Sequence, residues 1–171
     1  MPTIKEFLLT ELHSEVQRSR KALEQLPEGK GEWKPHEKSM KFGYLADMVA
    51  TIPSWVAMQV TRPDLDIAPA DGSSSVPRTV KTTRSDYLKA LDEAAASAVK
   101  ALEGTSDAHL ATNWQLKVRG AVVQQGPRHQ MIQDTFNHLA HHRGQMTVYL
   151  RLMGSKVPSL FGPSADEQGF G

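Results

Sequence analysis

The sequence predicts an all-α protein, a helix bundle. Three observations lead there. Four segments carry apolar residues at helical spacing, one long Pro/Ser/Gly-rich stretch separates the second from the third, and only one short stretch alternates as a strand does. The chain has 171 residues, enough to bury a sizeable core without staples, so residues 1–171 are read as one domain.

The first helix covers residues 3–26, because Ile4, Phe7, Leu8, Leu12, Val16, Leu23 and Leu26 recur mostly three or four apart. Thr3 and Glu6 have capping-box spacing, and Pro27 stops the helix. After a loop at residues 35–39, Ser39 is the expected N-cap of a second apolar helix. It runs through Met40, Tyr44, Leu45, Met48, Val49, Ile52, Trp55 and Val56 toward Val60. Pro53 lies inside this pattern, so the helix either kinks near Val49 or breaks in two.

Residues 61–83, TRPDLDIAPADGSSSVPRTVKTT, read as an exposed connection. Connections of this length are uncommon in compact domains and often line a site. A third helix is expected from Ser85 as N-cap to Gly104 at C′, with Tyr87, Leu88, Leu91, Ala95, Ala98, Val99 and Leu102 as its stripe. Trp114, Leu116 and Val118 alternate with Gln115, Lys117 and Arg119, and Gly120 turns this strand toward Val122 and Val123. A short β-hairpin therefore precedes the last helix, which Pro127 opens and Gly154 ends.

Composition excludes several classes of function. Twenty Lys+Arg against 19 Asp+Glu leave a net charge of +1, which gives no electrostatic reason for nucleic acid or an anionic membrane as partner. With no cysteine, disulfides, thiolate nucleophiles, iron–sulfur clusters and Cys-type zinc sites are all ruled out. No basic stretch followed by an apolar core opens the chain, and no apolar run approaches membrane-spanning length, so a cytoplasmic location is expected. Neither a Gly-rich phosphate loop nor a nucleophile elbow is present.

Chemistry concentrates in the histidines. They stand at 13, 36, 109, 129, 138, 141 and 142, three of them within five residues of the last helix. His138 and His142 are spaced i, i+4, one turn apart on one face, where two imidazoles can converge on a single ion. Leu139 follows the first of them where a zinc protease motif needs Glu, so that reading fails. Met131, Thr135, Gln145 or Met146, and Tyr149 share their side of the helix, which places the pair toward the bundle interior; His141, about 100° away, points sideways to solvent or a carbonyl. The purely structural alternative is a pair of core-edge histidines satisfied by hydrogen bonds.

Other features read structurally. Arg143 is expected to pair with a carboxylate or cap a carbonyl, Gly144 to permit close helix packing, and Trp33, Trp55 and Trp114 to be packing anchors. The methionines read as adaptable core filler, and Asp92 and Glu93 as a solvated helix face.

Two blocks, WKPHEKSMKFGYLADMVATIPSW at 33–55 and FNHLAHHRGQMTVYLRLMGSKVPSLFGPSADE at 136–167, resemble the DinB/YfiT-like superfamily. The resemblance implies a four-helix bundle in up-down-down-up order, with its long connection between the second and third helices. It also implies a divalent metal such as zinc or nickel held by three histidines, one on the second helix and two on the last. Here the last two are His138 and His142, while the second-helix position is Met48. A thioether suits Cu(I) and binds Zn²⁺ or Ni²⁺ poorly, so the expected metal is weakly bound or absent. Asp47, about 100° round the helix, and His36, in the preceding loop, are the candidate substitutes, and water is the third repair.

Two functional expectations follow from the resemblance. One is a metal-dependent transferase or related hydrolase acting with a low-molecular-weight thiol of the bacillithiol or mycothiol type, in which the ion lowers the thiol pKa. The other is a non-catalytic relative, emptied of metal at Met48, serving as a dimeric small-molecule-binding or interaction module. A homodimer is implied by the resemblance alone.

Overall fold

The computed structural model describes residues 2–73 and 81–169 of the chain. The chain is mostly helical, with a small three-stranded sheet. Helix α1 (Ile4–Glu24) starts as the sequence predicts: the Thr3 hydroxyl accepts from the Glu6 N–H at 3.2 Å, and the Glu6 carboxylate accepts from the Thr3 N–H at 2.8 Å. The second helix breaks in two. Helix α2 (Phe42–Thr51) ends at Ile52, and Pro53 opens α3 (Pro53–Thr61) at its first position, where its missing N–H leaves no bond unmade. Ser39 is not the N-cap. Its N–H is used in a turn onto the His36 carbonyl at 3.0 Å, and Lys41 takes the cap position without a side-chain bond.

The expected connection is not all loop. Strand β1 (Asp64–Asp66) pairs parallel with β2 (Asn113–Val118), setting Leu65 beside Leu116; β2 pairs antiparallel with β3 (Ala121–Pro127). The all-α expectation is therefore corrected to a mostly helical fold with a mixed sheet in the order β1-β2-β3. Asp66 ties the sheet's turn. It accepts from the Arg119 N–H at 3.1 Å and the Gly120 N–H at 2.6 Å, fixing two residues of positive φ (52° and 77°). These bonds, Gly120 foremost, hold the Asp66 carboxyl below its ordinary range. Residues 74–80 of the expected connection lie outside the described residues.

Helix α4 (Arg84–Glu103) is capped by Thr83, which forms a capping box with Asp86, so Ser85 is the second residue of the helix and not its cap; Gly104 is the C-cap itself. A short α5 (Asp107–Leu110) follows, and its Asp107 carboxylate accepts from the Ile4 and Lys5 N–H groups, both at 3.0 Å, at the start of α1. Helix α6 (Arg128–Leu152) begins after Pro127, and Gly154 closes it at φ 77°.

Helix α1 lies against α4 and α6, and α2 and α3 lie against the same two helices. One core cluster gathers Leu23, Phe42, Leu45, Leu91, Leu139 and Leu150; a second gathers Leu8, Leu12, Val56, Leu102, Ile132 and Phe136. Each such side chain stabilises by about 1.5–3 kcal/mol on burial. A third, small cluster of Leu65, Trp114 and Met131 joins the sheet to α6.

Arg128 and His109 close the end of α3. The guanidinium donates to the carbonyls of Gln59 and, at 2.9 Å, Arg62, and His109 Nε2 donates to the Val60 carbonyl at 2.8 Å. Gly144 does not serve close packing as expected: it is exposed, with nothing within 4 Å of where a Cβ would stand. Met40 is also exposed, so the core-filler reading does not extend to it.

Candidate functional site

The rotation of α6 is set by Arg143. Its guanidinium, 1% exposed, lies 2.8 Å from Glu15 Oε2 and donates to the Glu15 carbonyl at 3.2 Å and the Ser19 hydroxyl at 3.3 Å. With Arg143 turned toward α1, His142 is buried at 4% exposure, His138 is half-buried and His141 faces solvent, as the helical spacing predicts.

The two predicted histidines meet. His138 Nε2 and His142 Nε2 are 2.8 Å apart, a direct hydrogen bond. Its direction follows from Gln145, whose Oε1 lies 2.9 Å from His142 Nδ1. An amide oxygen only accepts, so His142 carries its proton on Nδ1 and its Nε2 is the acceptor. The donor is then Nε2 of His138, which leaves the lone pair of a neutral His138 on Nδ1. Gln145 Nε2 in turn donates to His141 Nε2 at 3.0 Å. Burial first, then the neighbouring imidazoles of His142 and His141, holds His138 below the ordinary imidazole value, so it is neutral near pH 7. The Trp55 ring meets the His138 ring edge-on at 5.3 Å.

The candidate third ligands are differently placed. Asp47 is buried on α2 with its Oδ1 held 2.5 Å from Lys81 Nζ. His36 is exposed, its Nδ1 accepting from the Lys38 N–H at 3.2 Å. Met48 is 7% exposed, in the same core cluster as Leu139 and Met146. Among the described residues no group of three or more His, Cys, Asp or Glu could hold a metal ion. The donor set fits a weak two-histidine site and does not fit a three-ligand centre.

His138 also forms part of the wall of a cavity of about 310 Å³ between α3, α6 and the sheet. Its other walls are largely apolar: Trp55 from α3, Leu65 and Ile67 from the start of the long connection, Trp114 and Leu116 from β2, and Met131 from α6. Gln59 and Thr135 lie in the wall already paired, the Gln59 amide donating to the Thr135 hydroxyl at 2.9 Å. Gln124 donates to Asp134 at 3.0 Å, both exposed. The ring N–H groups of Trp55 and Trp114 are buried without a hydrogen-bond partner among the described residues.

Two site features are missing from the sequence reading. The role of Gln145 could have been found, since it stands i+3 from His142 and i+4 from His141, within side-chain reach of both. The indoles carry no such signal, because whether a buried N–H finds a partner is decided by tertiary contacts.

The DinB family model matches residues 1–168. A segment of 46 residues is 43% identical to the uncharacterized protein YrdA of Bacillus subtilis, covering 27% of this chain and 28% of that protein. Two crystal structures share the fold, each with a TM-score of 0.66. One is the DinB-like protein YjoA of Bacillus subtilis, at 17% identity over 95% of this chain and 99% of that one. The other is a DinB-like protein of Bacillus cereus, at 22% identity over 88% and 93%. Nearly the whole sequence is thus accounted for by one family model, and the chain belongs to the DinB family.

Proposed function

We propose that this DinB family member binds a small molecule in the cavity beside His138, with the His138–His142 pair as a hydrogen-bonding wall in place of a three-ligand metal centre. The observation that carries the reading is the direct Nε2–Nε2 bond of 2.8 Å, with the tautomer of His142 fixed by Gln145. The pair satisfies itself without an ion, and Nδ1 of His138 is left as an acceptor for a ligand's hydroxyl, amide or thiol hydrogen. The same reading includes an up-down-down-up four-helix order over α1, α2–α3, α4 and α6, a homodimer, and a cytoplasmic location.

Calorimetric titration with Zn²⁺ and Ni²⁺ tests it. Micromolar or weaker binding supports the reading; one equivalent bound more tightly than about 1 nM would return the chain to the three-ligand class.

A second reading, a metal-dependent thiol transferase or hydrolase, is favoured by one observation: an imidazole whose Nδ1–H is fixed by Gln145 presents Nε2 as ligating histidines do. His138 and His142 would hold the ion, which when bound lowers the pKa of a thiol. Elemental analysis of tag-free protein, followed by a screen with bacillithiol and mycothiol, separates the two readings.

A further inference from the structure

Gly144 weakens α6 without serving the chain's own packing. It lies within the helix, exposed, and among the described residues no atom comes within 4 Å of where its Cβ would stand. Glycine inside a helix is less stable there than alanine, and neither a left-handed φ nor a close neighbour in the same chain calls for it at this position. The two large apolar side chains that follow it on the same side are exposed as well, Val148 at 57% and Leu152 at 60%.

At about 100° per residue, Gly144 lies about 40° to one side of Val148 and Leu152 about 40° to the other, with Asn137 and His141 inside the same arc. From 137 to 152 this stripe holds no Asp, Glu, Lys or Arg, and Arg151, at its border, is engaged by Asp166. Two copies can therefore meet along it without burying like charges. Met40, whose carbonyl accepts from the Tyr149 hydroxyl at 3.3 Å, is exposed too and widens the apolar surface on the Leu152 side.

The row Gly144, Val148, Leu152 is complementary to itself when reversed. In an antiparallel pair about a twofold axis at Val148, a residue four places before the axis faces the residue four places after it on the other copy. A crossing angle of about 50°, the commonest class of helix packing, brings two such i, i+4 rows into line. Val148 then meets its own copy, and Leu152 lies over Gly144 of the partner subunit. The glycine supplies a hollow that the leucine fills.

We propose that the outer face of α6 is the dimer interface of this protein, with two copies packed antiparallel across an axis at Val148 and each Leu152 seated over Gly144 of the partner subunit. The proposal rests on the homodimer included in the reading above and names the face that forms it.

The chain has no cysteine, so single cysteines in the full-length protein report contacts without background. Val148→Cys is expected to form a covalent dimer under mild oxidation, since a residue on the axis of closely packed helices meets its own copy within disulfide reach. Lys89→Cys, exposed on α4, is the control and is expected not to link. In sedimentation equilibrium the wild type is expected to be dimeric. Gly144→Leu is expected to weaken dimerisation about tenfold or more by filling the hollow, and Gly144→Leu with Leu152→Ala to recover most of that loss. The single variant keeps its fold, because leucine at 144 meets open space within the chain and suits a helix better than glycine. A dimeric wild type in which Val148→Cys links no faster than Lys89→Cys would overturn this face and leave the homodimer standing. Linking at Val148 with no effect of Gly144→Leu would overturn the seating of Leu152. A wild type still monomeric at about 100 μM would overturn the homodimer together with the interface.

Discussion

Replacing Arg143 with methionine tests how the histidine pair is aimed. The guanidinium is 1% exposed and Glu15 5% exposed, so the substitution strands a carboxylate on the inner side of α1. Losing one member of a buried pair commonly costs about 3–5 kcal/mol. Two details place this case at the lower end. Glu15 keeps Arg18, whose Nη1 lies 2.6 Å from Oε1 on the more exposed side. The 2.8 Å approach of Arg143 to Oε2 also lies outside hydrogen-bonding angles, leaving Oε2 and the Nη2 of Arg143 without a hydrogen bond among the described residues.

A loss of about 3 kcal/mol is therefore expected for Arg143→Met, which corresponds to about 6–12 °C in melting temperature for a chain of this size. The double change Arg143→Met with Glu15→Met is expected to recover part of it, since no stranded charge remains. Urea unfolding at constant slope measures all three variants. If Arg143→Met lies within about 1 kcal/mol of wild type, or the double variant is worse than the sum of the singles, the pair does not anchor α6 as argued.

Met48→His is expected to raise Zn²⁺ affinity about a hundredfold, because a third imidazole is offered from α2, which packs against α6; equal affinities by calorimetry would refute the assigned position. Since His138 titrates below 6.5 when folded, its neutral form is favoured by the fold, and this contribution is full above pH 6.5 and lost as pH falls through 6.5 toward the folded value. Its imidazole proton signals should titrate with a midpoint under 6.5; a midpoint above it contradicts the burial argument. Gln145→Leu removes the acceptor for His142 Nδ1–H and the donor to His141, so ¹⁵N chemical shifts should show His142 in mixed tautomers; an unchanged Nδ1–H pattern would mean the amide does not set it.

How much of this could be read from residue order differs from element to element. The Thr3/Glu6 box and the i, i+4 histidines are local patterns, and the structure places both as their spacing implies. Pro53 announced an interruption, but whether a helix kinks or splits depends on what its halves pack against. The N-cap of α4 went to Thr83 over Ser85 because Asp86 completes a box only with the former. Strand β1 left no local trace: three residues, Asp64, Leu65 and Asp66, become a strand by pairing with residues about fifty positions away. The interior-facing side of α6 was evident from periodicity, whereas the cavity on that side needed β1 and β2 to supply its far wall.

That far wall has a different origin from the near one. The helical side, with Trp55, Met131 and His138, is carried by α3 and α6, whose buried residues supply part of the two main core clusters. The opposite side stands on a three-residue strand and a hairpin joined to the core through little more than Leu65, Trp114 and Met131. Substitutions at Ile67, Leu116 or Gln124 can therefore reshape the chamber while the helices stay as they are. A scaffold divided in this way lets selection retune what is recognised on the sheet and keep the imidazoles where they stand.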